Sequence, residues 1–334
     1  MVCTVIDPGT LSTIQDKGRT GYRAFGMPIS GVMDSYAFTM ANILAGNSRN
    51  AAVVEMTMCG GRFRFPNAAY VAVCGADMQG KLNGEKIKNW SGFHVPAHSE
   101  LAFGYAVSGC RTYLAFRGGI AVPQAMGSRS TYLRAKLGGI EGRALQSEDV
   151  LEIARAEALP RELNELAYSL VPRYENDLQL RVMLGPQDDH FTEYGIATFL
   201  NEAYTVSTRN DRMAYLLEGP IVAHKTGADI VSDALCPGAV QIPGSGTPII
   251  MMADCQTTGG YAKIATVIGP DLAKLAQAKA DDTVRFVSCS DAEAVAALMT
   301  EKECYEKASS ATLHENQRAC LSGANKRITN DCNE

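Results

Sequence analysis

Apolar and polar positions along the chain fall mostly into short runs of strand length. Ala69–Cys74 is a continuous apolar run, the pattern of a strand buried on both faces. Arg111–Phe116 predicts another strand, ended by Gly118-Gly119. Between them, Gln79-Gly80-Lys81-Leu82 and Glu85-Lys86-Ile87 flank Asn83-Gly84. That dipeptide favours a tight hairpin, because both of its positions accept a positive φ. One early stretch switches to helical spacing. Met33, Ala37, Met40, Ala41 and Leu44 predict a helix over Met33–Leu44, entered at Ser30-Gly31 with Ser30 as its cap. A second β-rich stretch opens at Leu178–Leu184 and runs to Val284-Arg285-Phe286. Within it Asp188–Asn201 reads as partly helical. Asp271–Ala278 reads as a short helix behind Gly269-Pro270, where proline suits a helix start. From Ser290 onward the pattern is helical and polar.

These runs predict a mainly β protein with short helices, in two β-rich halves. The first half covers residues 1–155. A charged stretch flanked by Pro160 and Pro172 follows, read as a linker with some helix at 156–178. The second half covers 179–290, and a helical, polar tail covers 291–334. The tail carries three cysteines and is expected to fray toward its end, so removing 304–334 is expected to leave folding intact. Each half carries a Gly-Gly at a loop after a strand, Gly118-Gly119 and Gly259-Gly260, which hints at an internal duplication. A length of 334 residues suits about two domains.

Composition narrows the function. The net charge is −5 and no basic stretch stands out, which argues against a nucleic-acid partner. No apolar run approaches the roughly 20 residues of a membrane span, and Met1–Gly9 lacks a signal-peptide pattern. A cytoplasmic protein is expected. The ten cysteines form no Cys-x-x-Cys pair and no metal-knuckle spacing. They read as reduced thiols acting as small hydrophobes. Thirty-one glycines suit a loop-dense β protein.

Four constellations carry candidate chemistry. The first, Thr13–Arg19, puts Gln15, Asp16 and Arg19 on one glycine-bearing loop. It reads either as a binding loop, with a planar guanidinium for an anion, or as an Asp–Arg pair bracing a turn. The second, Gly26–Asp34, runs into a helix that holds Asn42 one step from its apolar stripe. Asp34 in the first turn suits the helix dipole. The third, Gly127-Ser128-Arg129-Ser130-Thr131, combines hydroxyls, glycine and arginine in a way that suits an anion or a solvated loop. It lacks the phosphate-loop pattern. The fourth gathers Asp211 and Arg212, then Gln241, then Ile249–Lys263. There an apolar strand stops abruptly at Asp254 and delivers Gln256, Thr257, Thr258, Tyr261 and Lys263 to its exit, as scaffolds do when they present a site.

Other chemistries find less support. The five histidines, His94, His98, His190, His224 and His314, lie outside all four constellations, which disfavours a Ser-His-Asp hydrolase or a histidine metal site. There is no Gly-x-Ser-x-Gly elbow. Cys255 as a nucleophile is disfavoured by Asp254 beside it, which would raise its pKa.

Taken together, these motifs resemble the family of allophanate hydrolase subunit 2, also called the biotin-dependent carboxyltransferase family. The resemblance spans about residues 4–290. It rests on Asp7-Pro8-Gly9 with Thr13-Ile14-Gln15-Asp16-Lys17-Gly18-Arg19, on Ser30-Gly31-Val32-Met33-Asp34 with Ala41-Asn42, on Gly127–Thr131, and on Asp254-Cys255-Gln256-Thr257-Thr258-Gly259-Gly260-Tyr261. Cys255, Ala262 and Ala214 depart from the family pattern. The resemblance implies a cyclophilin-like β-barrel fold in the two halves. It implies an obligate partner like allophanate hydrolase subunit 1 (the B component of 5-oxoprolinase) and a third protein, the A component. Members include the C component of 5-oxoprolinase and a domain of urea amidolyase. Three activities follow as expectations. The first is a part in ATP-dependent opening of 5-oxoproline to glutamate. The second is carboxyl transfer from carboxybiotin to a urea-like amide. The third is a non-catalytic antagonist of a kinase-inhibitor partner. The chain has no recognisable nucleotide motif and no Ala-Met-Lys-Met for biotin attachment, so ATP or biotin would be held by another polypeptide or an unrecognised site. Under the first expectation Asp16 or Asp254 acts as general base, and Arg19, Arg212 and Lys263 stabilise developing charge. Substrate would be positioned by Gln15, Asp34, Asn42, Ser128, Arg129, Ser130, Asp211, Arg212, Gln241, Gln256, Thr257, Thr258 and Tyr261. No metal ligands are expected.

Overall fold

The computed structural model of the chain describes residues 1–156 and 164–330, with side chains described as far as Ala311. The expected linker therefore lies partly outside the described residues. The rest of it adds the short strand Asn164–Glu165 to a sheet edge and a 3-10 turn at Tyr168–Leu170.

The first half is two six-stranded sheets. The sheet that matters for the site runs Asn164–Glu165, Ser91–Val95, Ala69–Asp77, Ser108–Phe116, Val53–Thr57, Leu11–Gln15. Ala69–Asp77 shows why its sequence reads as unbroken apolar. Ala69, Val71 and Val73 face the core between the sheets, while Ala72 and Cys74 face the first helix. A strand covered on both sides leaves no position for a polar residue. The hairpin forms where Asn83-Gly84 predicts it, with φ of 50° and 89° between Lys81–Leu82 and Glu85–Lys86.

Helix α1, Ser35–Leu44, lies across the outer face of that sheet. Its cap is Asp34, whose Oδ1 accepts a hydrogen bond from Ala37 N at 2.9 Å. Ser30, expected as the cap, sits instead in a left-handed turn (φ 56°) and points away from the helix. Asp34 wins because its extended backbone (φ −105°) directs its carboxylate at the first free N–H groups.

The second half is a closed seven-stranded barrel. Its order is Asp177–Leu184, Lys263–Val267, Ala239–Gln241, Ile249–Met251, Ala214–Glu218, Tyr204–Val206, Thr283–Ser288. Helices α2, Glu193–Asn201, and α3, Gly269–Leu275, pack on it. The Gly-Gly hint of a duplication does not hold. Gly118-Gly119 is a turn with two positive φ angles, whereas Gly259-Gly260 lies inside the strand Thr258–Tyr261. A two-stranded ribbon, Asp229–Ala234 with Thr258–Tyr261, projects from the barrel.

Helix α4, Asp291–Asn330, returns to the first half. The expectation that 304–334 is dispensable covers only part of that stretch. Tyr305 meets Tyr36 of α1 with ring centroids 5.6 Å apart, Ala308 is 3% exposed, and Arg49 pairs with Glu306 at 3.1 Å. Expected fraying at the chain's end falls on residues outside those described in side-chain detail.

The halves are locked by a buried polar joint. Arg212, just before the barrel strand Ala214–Glu218, reaches Glu55 of Val53–Thr57 through Nη1. Its Nε and Nη2 each lie 3.1 Å from Asp254, and Nη2 also donates to Gly31 O. Burial opposes the guanidinium's charge, but Asp254 and Glu55 outweigh it and hold its pKa above the ordinary value. Glu55 Oε2 accepts from Met33 N (2.8 Å) and from Tyr113 OH (3.0 Å). Met33 itself enters the barrel's core cluster from the first half, a burial that stabilises by roughly 1.5–3 kcal/mol. Beside it Gln277 ties four groups together. Its Oε1 accepts from Cys110 N and Arg111 N, and its Nε2 donates to Arg111 O and to Asp34 Oδ2.

Three measurements test this account. Arg212→Met leaves two buried carboxylates unpaired and is expected to lower unfolding stability by about 3–5 kcal/mol. Adding Glu55→Gln should restore part of that loss, and a further decrease would refute the pairing. A chain ending at Ala311 is expected to melt like the full chain, while one ending at Lys302 loses Tyr305 and should melt lower. Equal melting of the two shortened chains would contradict the docking of α4. Burial pushes the Asp34 carboxyl up to about 6, against opposing hydrogen bonds from Gln277 and Ala37. A raised carboxyl pKa means the folded state binds the proton more tightly than the unfolded state. Its favourable contribution is therefore present at low pH and is lost as pH rises from about 4 through 6. The stability difference between the unsubstituted chain and Asp34→Asn should shift by about 3 kcal/mol across that window. A difference flat with pH would show the group to be unperturbed.

Candidate functional site

The site grows from the end of the strand Leu11–Gln15. Asp16 is 2% exposed, and its carboxylate receives four donors. Oδ1 accepts from Gly18 N (2.9 Å), Ser128 Oγ (2.5 Å) and Ser130 Oγ (2.7 Å), and Oδ2 accepts from Arg129 N (2.6 Å). Three donors crowd Oδ1 and one reaches Oδ2, so most of the acceptor capacity of Asp16 is spent on holding the loop. The loop Gly127–Thr131, read from sequence as an anion loop, does hold an anion, and that anion is Asp16. The Arg129 side chain turns away to Val122 O at 3.0 Å.

With the loop so pinned, two successive carbonyls face inward. Ser130 O accepts from Arg19 Nη2, and Thr131 O accepts from Gln15 Nε2 at 3.1 Å. Arg19 is fully buried, yet among the described residues its Nε and Nη1 have no partner. Gln15 Oε1 is likewise unpaired. Burial lowers the Arg19 pKa, with the charges of Asp16 and Asp254 working in the opposite direction. A buried donor without an acceptor loses about 1–3 kcal/mol, more when charged. Arg19 and Gln15 are thus tied to successive carbonyls of one loop, and each keeps buried polar atoms unmet.

Asp254 joins this group from the barrel. Oδ1 accepts from Ser30 Oγ at 2.7 Å and from Arg212, and Oδ2 accepts from Arg212. Ser30 Oγ lies 3.2 Å from Thr131 O, so Asp254, Ser30, Thr131 and Gln15 form one chain of contacts. The rim carries the salt bridge Arg134–Asp211 at 3.5 Å, both partners 60% exposed. It also carries the turn Arg23–Phe25, with Phe25 exposed, between left-handed Gly21 and Gly26.

Other predicted residues lie elsewhere. Lys263 Nζ donates to Asp233 Oδ2 (2.6 Å) and Ala234 O (2.9 Å), beside Gln187, at the base of the ribbon. The hydrogen bond from Lys263 is the leading cause holding Asp233 below the usual carboxylate range. Gln241 Nε2 donates to Tyr261 O at 3.2 Å in the same region. Thr258 and Tyr261 belong to the ribbon strand. Thr257 O accepts from Leu235 N, and Gln256 Oε1 is buried without a partner among the described residues. Asn42 braces the turn after α1, donating to Ala51 O and accepting from Asn47. Asp34 faces a separate cavity beyond α1. The structure thus joins Gln15, Asp16, Arg19, Ser128, Ser130, Arg212 and Asp254, with Asp211 at the edge. The Cys255 thiol is pushed up to about 11, and the first cause is burial. Arg23 opposes it and Asp254 adds least, so the sequence argument names the minor cause.

Sequence reasoning passes over Ser30, Glu55 and Thr131 as site residues. Glu55 carries a signal, since a lone acid inside the apolar run Val53–Met56 is tolerated only with a buried partner. Thr131 acts through its carbonyl, which no side-chain pattern reveals. Among the described residues, no helix is long and apolar enough to cross a membrane, and no group of His, Cys, Asp and Glu is placed to hold a metal ion.

Known proteins are similar to this chain over most of its length. The protein named as the C subunit of 5-oxoprolinase in Escherichia coli (strain K12) is 35% identical over 305 residues, 91% of this chain and 96% of that protein. Its namesake in Haemophilus influenzae is 36% identical over 301 residues, 90% of this chain and 95% of its own. The crystal structure of the K. lactis urea amidolyase superposes with a TM-score of 0.87 at 30% identity, over 92% of this chain and 20% of that one. Residues 25–288, which hold the joint and all of the site except Gln15, Asp16 and Arg19, match the family described as carboxyltransferase domain, subdomain A and B, and the chain belongs to that family.

Proposed function

We propose that this chain is the C-type subunit of an ATP-dependent 5-oxoprolinase in the cytoplasm. It would act with an allophanate hydrolase subunit 1-like B-type partner and an A-type partner to open 5-oxoproline to glutamate. One observation carries the reading. Relatives named as the 5-oxoprolinase C subunit align along 96% and 95% of their own length, whereas the urea amidolyase of Lachancea kluyveri aligns along 17% of its length.

The chemistry of the site supports it. 5-Oxoproline carries one lactam N–H, one carbonyl oxygen and one carboxylate. Gln15 Oε1 would accept the N–H and Arg19 Nε and Nη1 would bind an anion once the loops that bury these unpartnered atoms move aside. ATP, held on the complex, would phosphorylate the lactam oxygen; water would then add at the ring carbon, the C–N bond would break with a proton passing to nitrogen, and a second water would release phosphate from the resulting acyl phosphate to leave glutamate. Arg19 would stabilise the negative charge at the carbonyl carbon's oxygens as water adds. Asp16 serves as the pin of the serine loop, because most of its acceptor capacity is taken by that loop. Asp254, with three of its roughly four acceptor positions taken, orients the attacking water beside Ser30. Carboxyl transfer from carboxybiotin to a urea-like amide is the second reading, favoured by the superposition on urea amidolyase. It uses the same acceptor and donors for a ureido group.

Purified chain with its A-type and B-type partners is expected to release glutamate only when both ATP and 5-oxoproline are present. Arg19→Met should lower turnover about 100-fold while the complex still co-elutes on gel filtration. Unchanged turnover in that variant would remove Arg19 from the chemistry. No glutamate with all three proteins present, but carboxylation of urea with a biotin carboxylase partner, would select the second reading.

A further inference from the structure

The site as proposed meets the lactam of 5-oxoproline and leaves its carboxylate without a cation. Gln15 takes the N–H, and Arg19 takes the oxygens of the reacting carbon. Other arginines around the site are committed. Arg212 is held between Glu55 and Asp254. Arg134 pairs with Asp211 at 3.5 Å. The Arg129 side chain donates to Val122 O at 3.0 Å.

Arg23 is different. It is half-buried, and its Nη1 is buried without a hydrogen-bond partner. Among the described residues it forms no ion pair. Its neighbour is the Cys255 thiol, whose pKa the Arg23 charge lowers against the larger effect of burial. At about 11, that thiol stays protonated at neutral pH and supplies no counter-charge. A guanidinium turned wholly to water would have no buried nitrogen. This one turns inward, and a buried donor that the chain leaves unmet calls for an acceptor from outside it.

The chain roots Arg23 at the site. It lies on the segment 20–28, and both ends of that segment are fixed there. Arg19 N donates to Ile29 O at 2.7 Å, Ser30 N donates to Ala253 O at 2.9 Å, and Ser30 Oγ holds Asp254 at 2.7 Å. Cys255, which Arg23 meets, directly follows Asp254. Between the roots the backbone hydrogen bonds stay within the turn. Phe25 N and Met27 N donate to Tyr22 O, and Gly26 N donates to Arg23 O. Among the described residues no backbone hydrogen bond ties 20–28 to the rest of the chain. A turn hung in this way can swing about its roots and carry Arg23 with it.

We propose that Arg23 is a specificity-determining residue of the site and grips the carboxylate of 5-oxoproline. The assignment rests on the 5-oxoprolinase reading. A planar guanidinium matches a carboxylate with two parallel N–H donors. That carboxylate is unchanged while water adds to the lactam carbon, so the contact holds the substrate and the transition state alike. Its loss therefore weakens binding and leaves the chemical step in place.

The test is steady-state kinetics of the reconstituted complex. Arg23→Gln should raise KM for 5-oxoproline about tenfold or more and change kcat by less than about twofold. 2-Pyrrolidinone, the same lactam without the carboxylate, should compete equally well in the Arg23→Gln and unsubstituted complexes. The melting temperature of the chain should not change, since Arg23 makes no backbone hydrogen bond with its side chain. An unchanged KM, a fall in kcat without a rise in KM, or an equal weakening of 2-pyrrolidinone would each overturn the assignment while the 5-oxoprolinase reading stands. No turnover of 5-oxoproline by the unsubstituted complex would overturn both.

Discussion

Arg212 is the hinge on which the structure turns. Its guanidinium sits between Asp254 of the barrel half and Glu55 of the sheet half, with Gly31 O as a third acceptor. Three charged groups are taken out of water at this point, and each is tolerable only because the others are present. The same contact sets the position of the residues around it. Asp254 fixes Ser30, Glu55 fixes the Met33 amide, and Met33 enters the barrel core. A joint of apolar residues alone would hold the halves together without fixing their relative rotation. Directional bonds to two carboxylates and a carbonyl fix it.

The serine loop works on a related principle. From sequence, hydroxyls, glycine and arginine over Gly127–Thr131 point to an external anion. In the fold the anion is internal, and the loop's donors close on Asp16. The consequence is a rigid backbone that aims the Ser130 and Thr131 carbonyls at Arg19 and Gln15. Arg19 and Gln15 are each held by a hydrogen bond to that backbone.

Much of this is legible in the chain and some is not. Strands read well where burial sets the pattern, as at Ala69–Asp77 and Asp177–Leu184. The hairpin at Asn83-Gly84 reads well because its φ requirement is local. Reading fails where the deciding partner is distant in sequence. Ser30 resembles a helix cap until Asp254, 224 residues away, is known to hold it. The tail looks dispensable because its apolar residues are scattered through a polar stretch, and the burial of Tyr305 and Ala308 is explained by the first half they pack on. Among the site residues, Gln15, Arg19, Arg212 and Asp254 stand out because their types are costly to bury without purpose. Lys263 and Gln241 group with them by proximity in sequence, yet the strand pairing of Lys263–Val267 with Ala239–Gln241 carries both toward the ribbon.

The barrel closes by a parallel seam between Asp177–Leu184 and Thr283–Ser288. Its first and last strands are thus neighbours, although about a hundred residues of chain are synthesised between them. The sheet half can settle as soon as Asn164–Glu165 has emerged, since that strand completes its second sheet. The barrel has no closed form until residue 288 is available, and α4 follows only after that. An N-terminal unit that folds first and waits is the usual order in a nascent chain. Here Glu55 lacks its cation and Met33 its barrel packing until the second half is in place. The joint is therefore also a checkpoint of assembly: a barrel that closes out of register brings Arg212 to the wrong place and leaves Glu55 buried without its cation.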